Sequence, residues 1–287
     1  MAKILVVGSA NMEVIDFVQP IPDGERRLAP GGKGANQAVA AAKLGGDVAF
    51  LGHVGADEYG EALKRAMAEA GVDISNVITD PVNPTGTANI RVAEDGQKSV
   101  VVHPGSNGAM TAEDVWNHPQ CFVDAEYIVV QLEIGFTAVQ AAVTMGKMMD
   151  KRVILKPAPA QDLSPEMLNG VYCLVPNETE ADALFHGYTN EQLPVIARGY
   201  GVENMVVTLG SKGALLVENG STVRVPTMRV KAVDTDGAGD CFVGALAVAL
   251  AEGQSLSEAV EFANQAATVS VTRPGAQAAM PSRDELE

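Results

Sequence analysis

The chain has 287 residues, of which 47% are hydrophobic, 20% are charged and only 5% are aromatic. This length predicts one large domain, and the apolar content is enough for a sizeable core, which excludes a disordered protein. The 20 Lys and Arg residues face 36 Asp and Glu residues, and the net charge of −16 disfavours binding to nucleic acid or to a membrane surface. A phosphorylated small molecule can still bind where backbone donors or a metal ion reverse the local field.

Other protein classes are disfavoured by short stretches and by spacing. The longest apolar stretch, residues 242–251, is about half as long as a membrane span, and the apolar run after Met1 is too short for a signal peptide. The three cysteines (Cys121, Cys173 and Cys241) lie far apart, and the four histidines also lack metal-ligand spacing. An odd number of cysteines without a signal peptide predicts free thiols in a reducing cytoplasm.

Short β-branched apolar runs alternate with alanine-rich stretches along the chain. In chain order, strands are predicted at residues 4–7, 50–53, 127–131, 153–155, 173–176 and 205–209, and helices at residues 34–44, 59–70, 137–149 and 178–185. Short continuous apolar strands separated by helices are typical of a parallel sheet that helices cover on both faces. We therefore expect an α/β fold, a three-layer sandwich around a mainly parallel central sheet.

Two stretches, residues 14–27 and 85–102, alternate apolar and polar residues instead. Half-exposed antiparallel strands have this pattern. One interpretation is a pair of surface hairpins. The other is a small β-lid, formed by segments near residues 14–30 and 85–102, that closes over a site and excludes water. The chain contains no repeat or linker, so we expect a single domain over residues 1–287.

The segment DTDGAGDCF (residues 234–242) follows a strand pattern at residues 222–233 and begins an alanine-rich helix. Small residues at a helix start (Gly237, Ala238 and Gly239) leave backbone N–H groups free to bind an anion. The Asp240 carboxylate can then take a proton from a hydroxyl nucleophile while these amides stabilise a phosphoryl group in transfer. Alternatively, Asp240 is only a favourable acidic residue in the first helical turn.

The segment GGKGANQA (residues 31–38) is a second candidate site. It is not a phosphate-binding P-loop, because Gly34 follows Lys33 where Ser or Thr is required, and residues 8–11 do not complete a dinucleotide-binding fingerprint. The glycines allow a ligand to approach the backbone closely. Lys33 and Asn36 supply the donors that a polyol substrate needs.

The segment PNETE (residues 176–180) begins a helix directly after a strand. A carboxylate here can hold Mg²⁺ through water, because Mg²⁺ keeps several waters and few protein ligands. The alternative is routine helix capping by Asn177, with Glu180 as the third residue of the helix.

In this order and at these separations, the three segments resemble the signatures of the ribokinase family, the sugar kinases of the PfkB superfamily. The resemblance extends from about residue 3 to residue 281. It implies a cytoplasmic enzyme that transfers the γ-phosphoryl group of ATP to the primary hydroxyl of ribose or a related sugar. In such an enzyme Asp240 is the catalytic base, and Gly237, Ala238 and Gly239 form the anion hole.

The resemblance also implies a role for individual positions. The positions that match sugar-binding residues are Asn11, Glu13, Gly32, Lys33, Asn36 and Glu133. Those that match nucleotide-binding residues are Asn177, Thr208, Gly210, Ser211, Gly213 and Asn264. Glu180 would act on Mg²⁺, and a monovalent cation such as K⁺ would be bound by Asp234, Asp236, Ser270, Arg273 and Gly275. The implied partners are the sugar and ATP, with a homodimer formed through the lid.

The chain departs from the family's pattern at four places. Glu13 stands where Asp is usual in the first sugar motif, and Lys156 stands where Asn usually precedes Pro-Ala-Pro. The lid segment before Gly31 is several residues shorter than usual, and Ala279 offers no hydroxyl to the cation. Two alternatives therefore stay open, a nucleoside kinase of the same fold and a catalytically silent sugar-binding regulatory relative. The intact Asp240 and its anion hole argue against the silent relative.

Overall fold

The computed structural model describes residues 3–17, 26–92 and 98–286. Within these ranges the strands are β1 (Lys3–Val7), β2 (Asn11–Phe17), β3 (Arg26–Gly31), β4 (Val48–Gly55), β5 (Asp73–Asp80), β6 (Gly86–Val92), β7 (Lys98–His103), β8 (Ala125–Val130), β9 (Arg152–Leu155), β10 (Cys173–Leu174), β11 (Asn204–Thr208), β12 (Ala214–Glu218) and β13 (Ser221–Val225). The helices are α1 (Lys33–Lys43), α2 (Glu58–Glu69), α3 (Ser106–Ala109), α4 (Ala112–Trp116), α5 (Pro119–Asp124), α6 (Phe136–Met148), α7 (Pro165–Leu168), α8 (Glu178–Phe185), α9 (Leu193–Gly199), α10 (Ala238–Ala251) and α11 (Leu256–Ser270). None of the described helices has the length and hydrophobicity required to span a bilayer.

Nine strands form the central sheet, in the order β13-β12-β11-β10-β9-β8-β1-β4-β5. All neighbours from β11 to β5 are parallel, and β12 and β13 are added antiparallel at one edge. Strand β1 lies inside the sheet with Ile4 to Val7 fully buried, as expected for a continuous apolar run with helices on both sides. The predicted mainly parallel sheet is confirmed.

Helices cover both faces of this sheet. Ile4 and Val6 of β1 point into one core, which includes buried residues of α1, α2, α10 and α11. Leu5 and Val7 point into the opposite core, which includes buried residues of α6, α7, α8 and α9. Alternate side chains of one strand therefore supply two separate cores, and the predicted three-layer sandwich is confirmed.

A second sheet contains four strands in the order β3-β2-β6-β7. Its outer pairs are antiparallel, whereas β2 and β6 are parallel and join the two alternating segments into one sheet. It carries exposed apolar side chains at Leu28, Val100, Val101 and Val102. Residues 18–25 and 93–97 of the expected lid lie outside the described ranges, and its closure over a site stays a prediction.

The predicted strand at residues 222–233 is wrong beyond Val225, where β13 ends. Pro226 follows, and proline has no backbone N–H to continue a ladder of hydrogen bonds. The irregular segment after it contributes Thr227, Met228 and Val230 to the wall of a cavity. The strand predicted at residues 173–176 is also shorter than expected, because β10 contains only Cys173–Leu174.

Candidate active site

Polar side chains from distant parts of the chain meet where the parallel strands end. Strands β1, β8, β9, β10 and β11 lead, at their carboxyl ends, toward Asn11, Glu133, Lys156, Asn177 and Thr208. Strand β1 lies between β8 and β4, so the chain order reverses on the two sides of it. Open α/β sheets bind ligands at such a reversal, outside the carboxyl ends of the strands.

The start of α10 forms a concave backbone surface at this edge. Gly237 precedes the helix with φ of 73°, a left-handed conformation that favours glycine. A Cβ atom at Gly237 would lie only 2.9 Å from the Cβ atom of Ala276. No side chain caps this helix start. Ala238 N donates to the Thr235 carbonyl oxygen at 3.3 Å, so an anion at this helix start would share or replace that bond.

Asp240 lies in the first turn of α10 and is 9% exposed. Its Oδ1 atom accepts a hydrogen bond from Gln37 Nε2 at 2.9 Å, and its Oδ2 atom accepts one from Asn36 Nδ2 at 3.0 Å. Burial raises the pKa of Asp240 above its ordinary value, although the Lys33 charge and the two amide bonds oppose this rise. A carboxylate with a raised pKa is a better proton acceptor for a hydroxyl group.

Four amide side chains, which we name the amide cluster, hold this carboxylate. Gln131 Nε2 donates to Gln37 Oε1 at 2.7 Å, and Gln277 Nε2 donates to Asn36 Oδ1 at 3.0 Å. Each carboxylate oxygen is thus fixed by an amide that a second amide orients. Three members, Gln37, Gln131 and Gln277, are not among the predicted site residues. Their common signal is a long polar side chain at a buried position, which becomes visible only with the fold.

Glu133 is the centre of a second group of polar side chains, on the amino-terminal side of α1. Its Oε1 atom lies 3.0 Å from Lys33 Nζ, and its Oε2 atom accepts from Ser9 Oγ at 2.7 Å and from Asn11 Nδ2 at 3.5 Å. Asn107, also not predicted, donates from Nδ2 to Asn11 Oδ1 at 2.9 Å. The predicted residues Asn11, Lys33 and Glu133 therefore lie together, and the charges of Lys33 and Glu133 both act on Asp240.

Glu13 and Gly32 lie at the border of this group. Glu13 is on β2, and its carboxylate lies across Gly31, where a Cβ atom would be 2.2 Å from Glu13 Oε1. Gly32 has φ of 91°, and a Cβ atom there would lie 2.7 Å from the backbone nitrogen of Asn11. Both glycines are required because backbone or carboxylate atoms occupy the space of a side chain.

One cavity, which we name the phosphate cavity, extends from Asp240 to the predicted residues Asn177 and Glu180. Its lining includes Lys33, Lys156, Asn177, Glu180, Gly237, Gly239 and Asp240. Asn177 and Glu180 form a capping box at the start of α8, so the capping interpretation is correct in geometry. The same two side chains also line the cavity, so capping and ligand binding are compatible here.

The surroundings of Glu180 limit how it can contact Mg²⁺. Its Oε2 atom accepts hydrogen bonds from Lys156 Nζ at 2.5 Å and from Asn177 N at 2.8 Å, and its Oε1 atom accepts one from Asn177 Nδ2 at 2.9 Å. Among the described residues there is no group of three or more His, Cys, Asp or Glu that could hold a metal ion. These partners leave room for contact through water at Oε1 but do not fit a direct protein cage for Mg²⁺.

A second cavity adjoins the phosphate cavity, and both are lined by Thr208, Gly210 and Gly239. We name it the base cavity, where base means the nucleotide base and not the proton acceptor Asp240. The base cavity brings together the predicted residues Thr208, Gly210, Ser211, Gly213 and Asn264. Its apolar wall includes Phe242 and Val271, which were not predicted. Asn264 Nδ2 donates to the Val225 and Pro226 carbonyl oxygens, so this side chain anchors the segment that follows β13.

The residues predicted for a monovalent cation lie in two turns that a hydrogen bond joins. Asp234 Oδ1 accepts from Asp236 N at 3.3 Å, and Asp234 Oδ2 accepts from Gly275 N at 3.0 Å. Ser270 is buried, and its hydroxyl donates to the Ala267 carbonyl oxygen at 2.8 Å. The Arg273 guanidinium is positively charged and pairs with Glu285, so Arg273 can contribute only its backbone carbonyl oxygen to a cation.

Comparison with known proteins agrees with this arrangement. The model of the family described as pfkB family carbohydrate kinase matches residues 1–283. The chain belongs to the pfkB family of carbohydrate kinases. It is 38% identical to a ribokinase of Bacillus subtilis, an alignment that covers 100% of this chain and 99% of that protein.

Two further relatives extend the comparison. A deoxyribokinase of Salmonella typhi is 35% identical over 99% of this chain and 97% of its own length. The solved structure of Arabidopsis thaliana ribokinase complexed with ribose and ATP is 31% identical, has a TM-score of 0.90 and covers 99% of this chain and 97% of that chain. This carbohydrate kinase is therefore a phosphotransferase with an alcohol group as acceptor, and the resemblance stated from the sequence is confirmed. The roles of individual site residues stay predictions.

Replacing Gln37 by Leu in this kinase should move the acid limb of its kcat/KM profile to higher pH. Asp240 accepts a proton only when ionised, and the Gln37 hydrogen bond favours the ionised form. Loss of that bond raises the pKa of Asp240 further, so activity is lost at a higher pH as the medium is acidified. The rate of phosphoryl transfer, measured across the acid limb in both proteins, checks this.

Gln265→Leu is the control for Gln37→Leu, because Gln265 is only half-buried and donates to the Leu286 carbonyl oxygen, outside the amide cluster. It should leave the acid limb where it is in the unmodified protein. An unshifted limb in Gln37→Leu would show that Gln37 does not act on the Asp240 carboxylate.

Proposed function

We propose that this carbohydrate kinase transfers the γ-phosphoryl group of ATP to the primary hydroxyl of ribose. The observation that carries the proposal is the position of Asp240. This buried carboxylate lies in the wall of the phosphate cavity, in the same helical turn as Gly239, which the base cavity also contacts. Lys33, which is paired with Glu133, lines the same cavity. A hydroxyl acceptor and a nucleotide can therefore meet at one proton acceptor.

The reaction follows from this placement. The sugar is held by Asn11, Lys33 and Glu133, and its primary hydroxyl donates to Asp240. The bond from the hydroxyl oxygen to the γ-phosphorus forms while the bond from that phosphorus to the leaving oxygen of ADP breaks, and Asp240 takes the hydroxyl proton. The N–H groups at the start of α10 (Gly237, Ala238 and Gly239) stabilise the charge of the phosphoryl group in transfer.

ATP enters this reaction as its Mg²⁺ complex, because an acidic chain of net charge −16 does not itself neutralise a triphosphate. The base is placed beside Asn264 and the phosphates beside Asn177, with Thr208, Gly210, Ser211 and Gly213 along the nucleotide. Glu180 contacts the Mg²⁺ complex through water. Asp234 and the carbonyl oxygens of Asp236, Ser270, Arg273 and Gly275 would hold K⁺, whose charge would favour an anion at the nearby start of α10. Omission of K⁺ from the activity assay tests this part.

The second sheet closes the sugar site as a lid, within a single domain that spans residues 1–287. Strand β2 of this sheet includes Asn11 and Glu13, so two of the proposed sugar contacts belong to the proposed lid. The exposed apolar side chains of β3 and β7 fit a homodimer in which two such sheets pack together. The three cysteines are free and buried, as expected of an enzyme that acts in a reducing cytoplasm.

Phosphorylation of 2-deoxyribose is the second candidate function. It is favoured by the deoxyribokinase among the relatives. Glu13, whose longer carboxylate arm lies across Gly31, is half-buried. If it accepts the hydroxyl that 2-deoxyribose lacks, its carboxylate is left unpaired with that sugar, which is costly and favours ribose. The balance between the two sugars is therefore set by how many hydroxyls Glu13 reaches.

The test is the kcat/KM value for ribose, 2-deoxyribose, fructose and a nucleoside, with ADP release as the measured signal. We expect ribose to exceed the deoxy sugar by about tenfold or more, because one charged hydrogen bond contributes about 1.5–3 kcal/mol. Glu13→Asp should increase this preference for ribose, since the shorter arm restores the usual spacing of the sugar motif. Glu61→Asp, at a largely exposed helix position, is the matched control and should change none of the four values.

Each other outcome selects a different function. A higher value for 2-deoxyribose favours the second candidate, and a higher value for the nucleoside favours a nucleoside kinase. Absence of ADP release with every acceptor favours a silent sugar-binding relative. An equal loss for all acceptors in Glu13→Asp would overturn the role of Glu13 in selecting the sugar.

A further inference from the structure

Lys156 and Glu180 form a buried ion pair in the wall of the phosphate cavity. Lys156 Nζ and Glu180 Oε2 are 2.5 Å apart, and the two side chains are only 6% and 8% exposed. Removing two charges from water costs free energy that their mutual attraction often does not repay. A pair of this kind beside a ligand cavity is therefore better explained by what it binds than by what it contributes to folding.

The backbone of Lys156 is firmly placed. The residue follows β9 directly, and its N–H group donates to the Val130 carbonyl oxygen at 2.9 Å. Its side chain runs toward the start of α10, where a Cβ atom at Gly239 would lie 3.8 Å from Lys156 Cε. The ammonium group is thus held between Glu180 and the helix turn that carries the anion hole.

Glu180 is fixed from its other side by the capping box. Asn177 donates to it from both the backbone nitrogen and the side-chain nitrogen. A lysine ammonium has three protons, and within the described ranges Glu180 is its one hydrogen-bond partner. Two protons therefore remain for a ligand in the cavity.

The cations of the cavity point to the same ligand, because the other charged groups in its lining are the carboxylates of Glu178, Glu180 and Asp240. Among the described residues that line it, Lys33 and Lys156 are the cationic ones, and Lys33 is paired with Glu133 on the sugar side. Lys156 is consequently the cation placed nearest to the side of the cavity that Asn177 and Glu180 form. A compact ammonium group there suits a phosphate oxygen.

We propose that Lys156 binds the terminal phosphate of ATP, and that Glu180 is the positioning residue that directs its ammonium group. This inference rests on the proposed function and deepens it, because it assigns a cationic phosphate ligand from the chain itself. Lys156 contacts the phosphoryl group before and during its transfer and releases it with the sugar phosphate. ADP, which lacks that group, does not make the contact.

Calorimetric binding of two nucleotides tests this contact without turnover. The probes are ADP and the non-hydrolysable β,γ-imido analogue of ATP, both with the same excess of Mg²⁺. Lys156→Met should weaken binding of the analogue by about tenfold or more, the value of one charged hydrogen bond, and change ADP binding by less than about twofold. Equal losses for both nucleotides, or no loss for the analogue, would overturn the proposal.

A double variant separates phosphate binding from simple neutralisation of Glu180. In Lys156→Met alone, an unpaired Glu180 carboxylate also repels the analogue. In Lys156→Met with Glu180→Gln both charges are absent, so recovery of analogue binding would mean that Lys156 only neutralises Glu180. We expect binding of the analogue to stay weak, because the phosphate ligand is still missing. The double variant leaves no buried unpaired charge, so it also provides the measurement if Lys156→Met does not fold.

Lys151→Met is the matched control. Lys151 directly precedes β9, and Lys156 directly follows it. The Lys151 ammonium group donates to the Val123 carbonyl oxygen on an exposed part of the surface. It changes the net charge by the same amount and should leave both affinities unchanged. A different result would overturn the proposed function itself: the unmodified protein binds neither nucleotide, or it releases no ADP with any sugar.

Discussion

Asp240→Asn should lower kcat by about 10²–10⁴-fold, the usual contribution of a positioned general base. The amide nitrogen of Asn cannot accept the hydroxyl proton, and in either orientation its NH₂ group faces an amide donor, that of Gln37 or that of Asn36. ATP binding should persist, because the base cavity and the N–H groups of α10 are unchanged. The measurement is the rate of sugar-dependent ADP release at saturating substrate, with nucleotide affinity determined separately.

Asp124→Asn is the matched control for Asp240→Asn. Asp124 ends α5 and accepts a hydrogen bond from Gln120 on an exposed surface. Its replacement by Asn should leave kcat unchanged. If the Asp240 variant keeps more than about half of the activity, another group takes the proton and the assignment of the base fails.

Gly34→Ala should destabilise the protein by about 2–3 kcal/mol, at the upper end of what overpacking costs. Gly34 lies in the first turn of α1, and a Cβ atom there would be 2.6 Å from the Ser9 backbone nitrogen and 2.7 Å from the Gly8 carbonyl carbon. Both neighbours are backbone atoms, so they cannot rotate away. The helix would have to shift, together with Lys33, Asn36 and Gln37, so kcat should fall as well.

Unfolding in urea, followed by circular dichroism, measures this loss. Gly199→Ala is the control, because Gly199 ends α9 and a Cβ atom there meets no atom within 4 Å. That variant should be stabilised by a few tenths of a kcal/mol up to about 1 kcal/mol, since alanine favours the helix and restricts the unfolded chain. A Gly34 variant as stable as the unmodified protein would show that α1 does not pack as closely on the end of β1.

The central strands of the large sheet can be predicted because they are buried on both faces. Residues 4–7 form a continuous apolar run, and β1 has the expected position. Strand β5 (Asp73–Asp80) is not predictable in this way, because it lies at the sheet edge and has neither a continuous apolar run nor a regular alternation. Residues 222–233 look like one strand because β-branched residues recur, but Pro226 ends the hydrogen-bond ladder.

The candidate site also has a part that can be predicted from the sequence and a part that cannot. The anion hole and Asp240 can be located because consecutive small residues before a helix have a direct physical meaning. The amide cluster cannot, since Gln37, Gln131 and Gln277 are far apart in the sequence. Only the fold brings α1, the residue after β8 and the turn Gln277–Ala279 together around one carboxylate. Lys156 is visible in the sequence as a departure, but its pairing with Glu180 requires the fold.

The packing of α1 against α10 also has a consequence for how the chain is synthesised. A Cβ atom at Gly244 would lie 2.7 Å from the Cβ atom of Ala40, so the two helices touch closely across more than two hundred residues of sequence. On the ribosome, the buried face of α1 therefore emerges long before its partner helix. The part of α1 that faces α10 stays uncovered until the chain has been made as far as Ala251, although β1 and β4 emerge early enough to cover the rest of its buried face.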